Sequence, residues 1–277
     1  MLRRIGNFFL AILVLVAAFA TMLIFQLGAM YGCLMYGMSV EEMTPITVFV
    51  GHVGFILVFG LWYSLGLKKV RYAKQSVKKV ATPRNLGGIV VLSVGMAFFL
   101  SFGLALVDPF IPEHIIEAYL KIMEEAQLGE SLFTNLAGCL LAPIGEELIF
   151  RGVMLYFLMK VIKGCKHEKV VFWVVNLLQA VAFGAFHMNL YQGMYATVLG
   201  LLIGFMAYRS KTVLVPILIH MVYNTSQIVL MDPIGNALPE NMVLYAIITA
   251  IGFVIMVAGM CMVKFPKEEA VKENMAA

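Results

Sequence analysis

The sequence predicts an all-α polytopic membrane protein with about eight transmembrane helices and both termini in the cytoplasm. Three observations carry this. Apolar residues make up 62% of the 277 positions and charged residues 13%, and the mean hydropathy of +0.92 is far outside the range of a soluble globular domain. The apolar residues gather into eight runs near the ~20 residues that cross ~30 Å of hydrocarbon. The loops between the runs alternate in the sign of their charge.

The runs are roughly 6–36, 45–66, 87–107, 132–159, 170–190, 193–208, 213–231 and 242–263. The first follows Arg3 and Arg4 and contains Ala18-Phe19-Ala20, which has the look of a signal-peptidase site. Its apolar stretch continues to about Tyr36, too long for a signal peptide, so it is read as an uncleaved, overlong first span. Lys and Arg collect at the N-terminus, in "LKKVRYAKQSVKKVATPRN", "KVIKGCKHEK" and "YRSK", and in the tail "KFPKEEAVKENMAA"; the loops "SVEEM", "DPFIPEHIIEAYLKIMEEAQLGES" and "DPIGNALPEN" are acidic. The positive-inside rule therefore places both termini in the cytoplasm, and an even number of spans satisfies it. The acidic loop 108–131 has Ile111, Ile115, Ile116, Tyr119, Leu120 and Met123 at helical spacing and predicts an amphipathic surface helix. No linker or repeat divides the chain, which reads as one transmembrane domain over 1–277 with a motif-bearing core at about 132–231.

The net charge of +4 is distributed in blocks between apolar runs, so it reports topology, and no nucleic-acid partner is expected. Cys33, Cys139, Cys165 and Cys261 have no C-x-x-C spacing and read as buried small apolar residues.

An ionisable side chain in a bilayer costs roughly 2.5–3.5 kcal/mol on insertion scales and is expected to face a polar interior. Away from the span ends, the Asp, Glu, Lys and Arg residues are Glu146, Glu147 and Arg151, all in the fourth span. Glu147 and Arg151 stand at i and i+4 and share a face, whereas Glu146 is rotated from its neighbour by about 100°. Phe183 and His187 share a face of the fifth span near its middle, and His220 and Asn224 share a face of the seventh. His52, in "GHVGF", has no polar neighbour in sequence and reads as packing.

Each feature alone has a structural reading, as an ion-pair lock or an interhelical clasp. Their joint occurrence on three spans suits water attack on an amide. Glu146 would be the base, His187 would hold the same water, and His220 with Asn224 would stabilise the oxyanion. The Glu147–Arg151 pair would hold Glu146 in place. The same atoms also suit a metal: Glu146, His187 and His220 would be the ligands of zinc or another divalent ion. The signature H-E-x-x-H is absent, and the residues by themselves leave the two readings open. A proton or ion relay in a transporter or channel is a further reading of the buried Glu, Arg and His, and a haem or quinone protein another.

"EELIFR" (Glu146 to Arg151), "FGAFH" (Phe183 to His187) and "HMVYN" (His220 to Asn224) resemble, in order, the E-E-x-x-x-R, F-x-x-x-H and H-x-x-x-N motifs of the CPBP family, the intramembrane CAAX-protease and bacteriocin-processing (Abi) enzymes. The resemblance covers about 132–231. It implies an intramembrane endopeptidase in which Glu146 activates water, His187 assists and His220 with Asn224 forms the oxyanion site, in a cavity made by the fourth, fifth and seventh spans. Phe150 and Phe183, within the motifs, are then the expected apolar substrate contacts. The resemblance favours a metal-free, glutamate-dependent mechanism. The implied substrate is a peptide or membrane-anchored protein, prenylated ones included, in a lipid setting that is expected to be a bacterial plasma membrane. A bacteriocin-immunity protein of the same fold is the non-catalytic alternative.

Overall fold

The computed structural model describes residues 2–66, 80–126 and 131–265. Among them there is no strand, and eight helices are long and apolar enough to cross a membrane. The chain is an integral, multi-pass, all-α membrane protein. The elements are α1 (Leu2–Met35), α2 (Val40–Leu61), α3 (Pro83–Ala105), α4 (Glu113–Ala126), α5 (Leu132–Ile162), α6 (Glu168–Phe186), α7 (Leu190–Ser210), α8 (Leu214–Ala237) and α9 (Met242–Met262). The basic loop after the second span and the C-terminal tail, both used to orient the chain, lie largely outside the described residues.

The helices fall into two compact units. The first comprises Met1–Lys69 and Glu113–Gly204, the second Val70–Pro112 and Phe205–Ala277. The helix α7 supplies its residues through Gly204 to the first and its last turns to the second.

In the first unit, α1 and α2 form a hairpin. Gly37 adopts the left-handed φ of 72° that ends the first helix, and Ser39 opens the second with a capping box. The Ser39 hydroxyl accepts from the Glu42 amide at 3.4 Å, and the Glu42 carboxylate accepts from the Ser39 amide at 2.8 Å. The amphipathic helix expected in loop 108–131 is α4. It buries no residue fully and rests on α7 through Tyr119, whose ring lies 4.7 Å from that of Tyr191 and 6.3 Å from that of Tyr195.

The centre of this unit is α5. Every residue from Gly145 to Leu158 is buried, so this helix is enclosed on all sides rather than along one stripe. It is not a regular α-helix. Wide π-type turns occupy Ala137–Leu141 and Leu148–Met154. The first precedes Pro143, whose ring lacks the N–H that would close an ordinary turn. The second contains Arg151, and such turns are frequent at functional sites.

The second unit packs α3 against α9. Gly88 and Gly95 on one helix, and Gly252 and Gly259 on the other, each recur after seven residues and let the backbones touch. A side chain at Gly252 would begin 2.6 Å from the Phe99 amide nitrogen. At one end, the Asn85 amide donates to the carbonyls of Val80 at 2.9 Å and Lys264 at 3.0 Å. Its oxygen accepts from the Lys264 amide at 2.9 Å.

Of the cysteines, Cys33 is buried as expected, whereas Cys139 and Cys165 are half-buried and Cys261 is exposed on α9. In a membrane helix the outer face is apolar too, so hydrophobicity does not distinguish inside from outside.

Candidate active site

Glu146 and Glu147 end the α-helical stretch Ala142–Glu147, and Arg151 stands in the wide turn that follows. The Glu147 carboxylate and the Arg151 guanidinium form an ion pair at 2.7 Å, with both side chains wholly removed from solvent. Such a pair survives only where further hydrogen bonds satisfy the charges. Part of that satisfaction comes from α7: Arg151 Nη2 donates to the carbonyl of Gly200 at 3.2 Å. Another part comes from α6, where the Phe183 ring lies under the guanidinium at 4.5 Å.

Gly200 is where α6 and α7 come close around this acceptor. A Cβ there would sit 3.1 Å from the Phe183 ring and 3.2 Å from Ala180 Cα. The same Gly200 carbonyl accepts a second hydrogen bond, from Gln179 Nε2 at 3.0 Å. Gln179 Nε2 also donates to Asn176 Oδ1 at 2.9 Å, and Asn176 Nδ2 donates to the Leu201 carbonyl at 2.9 Å. A buried polar chain thus runs from Glu147 through Arg151, Gly200 and Gln179 to Asn176. Both carboxamides were visible in the sequence as polar residues of an apolar span. Gln179, Phe183 and His187 succeed one another at intervals of four, a regularity that places Gln179 on the motif face.

His187 is not mid-helix. The helix α6 ends at Phe186, His187 is its C-cap, and Met188 turns left-handed with φ 56°. Asn189 then caps α7 by accepting from the Gln192 amide at 2.9 Å. The sequence has no Gly or Pro between Ala185 and Gln192, so the apolar pattern marks a boundary only near 190–193, and the helix ends a turn earlier, at Phe186. The half-buried His187 ring lies edge-on to Phe183 with centroids 5.0 Å apart. Its Nδ1 is 2.9 Å from the Phe183 carbonyl. A carbonyl only accepts, so Nδ1 carries the hydrogen, and in the neutral ring Nε2 is the acceptor.

Glu146 is buried at 9% exposure. Phe150 and Phe183 are completely buried and stack edge-to-face at 5.0 Å. Phe150 also meets Phe186 at 5.5 Å, and Phe186 meets Phe19 at 4.7 Å and Phe55 at 5.9 Å. The first unit therefore brings Glu147, Arg151, Phe150, Phe183 and His187 into one contact network, with Glu146 beside it in the chain. His220 and Asn224 belong to the second unit, on α8, where His220 is buried and Asn224 half-buried. One turn beyond Asn224, Gln227 accepts from the Ser101 hydroxyl at 3.0 Å. Among the described residues, no group of three or more His, Cys, Asp or Glu side chains is gathered as a metal site.

Comparison with known proteins is consistent with this core. Residues 128–226 match a family model described as type II CAAX prenyl endopeptidase Rce1-like. A protein of Bacillus subtilis (strain 168), "Putative membrane peptidase YdiL", is 32% identical over 103 residues, which is 37% of this chain and 39% of that protein. An "Uncharacterized 24.3 kDa protein" of Escherichia coli is 29% identical over 150 residues, 52% of this chain and 62% of that one. The similarity thus spans less than two thirds of either relative. No solved structure matches.

Proposed function

We propose, from the premise that residues 128–226 are Rce1-like, that the protein is a CAAX-protease-like intramembrane endopeptidase that uses water activated by Glu146. Support comes from one arrangement above all: a helix buried on every side that carries Glu146 beside an ion pair locked to two neighbouring helices.

In this reading the Glu146 carboxylate takes one proton of the attacking water, and His187 Nε2 accepts a hydrogen bond from the other. The oxygen adds to the scissile carbonyl, and the developing oxyanion calls for hydrogen-bond donors, the role that the motif resemblance gives to His220 and Asn224. Collapse breaks the C–N bond, and the proton held by Glu146 passes to the leaving amine. Glu147 and Arg151 do not touch the substrate; they fix the helical turn that presents Glu146. Phe150 and Phe183, the apolar substrate contacts expected from the motifs, are completely buried, so in this reading they back the His187 ring and set its position instead of meeting a substrate side chain. No metal is required by these steps.

The substrate is a peptide or a membrane-anchored protein presented from lipid, and the prenyl endopeptidase description of the family makes a prenylated C-terminus the first to try. The relatives come from bacteria, which supports a bacterial plasma membrane. The test is cleavage of such peptides by detergent-purified protein beside Glu146→Gln and His187→Ala. Loss of cleavage in both is expected, and wild-type rates in both would end the proposal.

A further inference from the structure

His52 on α2 takes no part in the steps above, and its sequence context reads as packing. Its placement says more. Along one side of α2, the Phe49 ring meets Phe133 at 5.8 Å, and Phe55 packs against Gly145, where a Cβ would lie 2.8 Å from Phe55 Cβ. Both partners belong to α5. Positions 49, 52 and 55 are separated by steps of three, each about 60° around the helix, so His52 lies in the middle of that arc. It therefore faces α5 between residues 133 and 145, the stretch that ends immediately before Glu146.

The imidazole is buried at 9% exposure. Its Nδ1 lies 2.8 Å from the Val48 carbonyl, so Nδ1 carries the hydrogen, and in the neutral ring Nε2 is the acceptor. Nε2 makes no hydrogen bond among the described residues. The ring stands edge-on to Phe55 at 5.8 Å, and Phe55 in turn meets Phe186, the residue before His187, at 5.9 Å. His52 and His187 are thus built alike. Each spends Nδ1–H on the carbonyl four residues back, leans on a phenylalanine edge, keeps a lone pair on Nε2, and flanks one aromatic cluster.

A peptide drawn into a bilayer carries N–H groups that lipid cannot solvate, so the protein must supply acceptors. In the proposed chemistry Glu146 and His187 are engaged by water. We infer that His52 is a substrate-positioning residue whose Nε2 accepts a hydrogen bond from a backbone N–H of the bound peptide next to the scissile bond. This rests on the endopeptidase reading.

The test compares wild type, His52→Phe and His52→Gln on a peptide that the wild type cleaves, and on analogues N-methylated singly at each position around the scissile bond. His52→Phe keeps the packing and removes the acceptor. It is expected to raise KM roughly five- to tenfold with kcat within about twofold, because the contact is made equally in ground and transition states. His52→Gln, which returns an acceptor near the Nε2 position, restores most of the loss. One N-methyl analogue should be poorer by a similar factor for the wild type and no poorer than the parent peptide for His52→Phe. Should His52→Phe not fold, His52→Leu makes the same comparison. Unchanged constants in the variant, or N-methyl and His52 effects that simply multiply, overturn the inference and leave the peptidase reading intact. If the wild type does not cleave, and the Glu146→Gln protein does not bind the peptides in a fluorescence titration, both fall together.

Discussion

Arg151 and Gln179, on different helices, donate to a single acceptor, the carbonyl of Gly200, at 3.2 and 3.0 Å. That oxygen joins the ion pair of α5 to the carboxamides of α6. Gln179→Leu leaves the arginine with the carbonyl alone and removes the donor to Asn176. The expected result is a loss of about 1–3 kcal/mol in stability, seen in thermal unfolding in detergent, together with lower kcat.

The ion pair itself is costly to break and cheap to replace. Arg151→Met strands the Glu147 carboxylate in an enclosed helix, and the loss should be about 3–5 kcal/mol. Replacing both residues with apolar ones of similar volume should recover much of the stability and none of the activity. Denaturant titration of the single and double variants, with peptide cleavage alongside, separates the two effects.

Gly204 has no room for a side chain. A Cβ there would collide with the Asn176 carboxamide and come within 2.5 Å of Gln179 Nε2. Gly204→Ala should cost about 1–3 kcal/mol by forcing the carboxamides off their partners. Gly6→Ala, at a position with no atom within 4 Å of the added carbon, serves as the control and should unfold like wild type.

Removal of the proposed base and of its partner imidazole should differ in size. Glu146→Gln is expected to abolish turnover. His187→Ala, which loses a hydrogen bond to the water and leaves the carboxylate in place, should lower kcat by about 10²–10⁴. Single-turnover rates on one peptide measure both.

A metal-free mechanism predicts that cleavage persists after exhaustive treatment with EDTA or phenanthroline, and that elemental analysis of the active protein finds no stoichiometric zinc. Loss of activity on chelation with recovery on adding zinc would replace water held by Glu146 and His187 with water held by the metal.

Several features of this protein were legible in its residues. A bilayer demands about twenty apolar residues per crossing, so eight runs announced eight spans. Charge is expensive there, so three ionisable residues in one run singled out α5. The i, i+4 interval of Glu147 and Arg151 is enough to bring their side chains together, and the ion pair is present. What only tertiary structure decided is carried by atoms that no side-chain pattern records. The acceptor shared by Arg151 and Gln179 is a backbone carbonyl, that of Gly200. His187 stands at a helix end because of one left-handed residue, Met188, whereas the apolar pattern carries the run on to residue 190. His52 acquired an orientation when Phe49 and Phe55 packed on α5, since helix periodicity defines a face but not the neighbour that face meets.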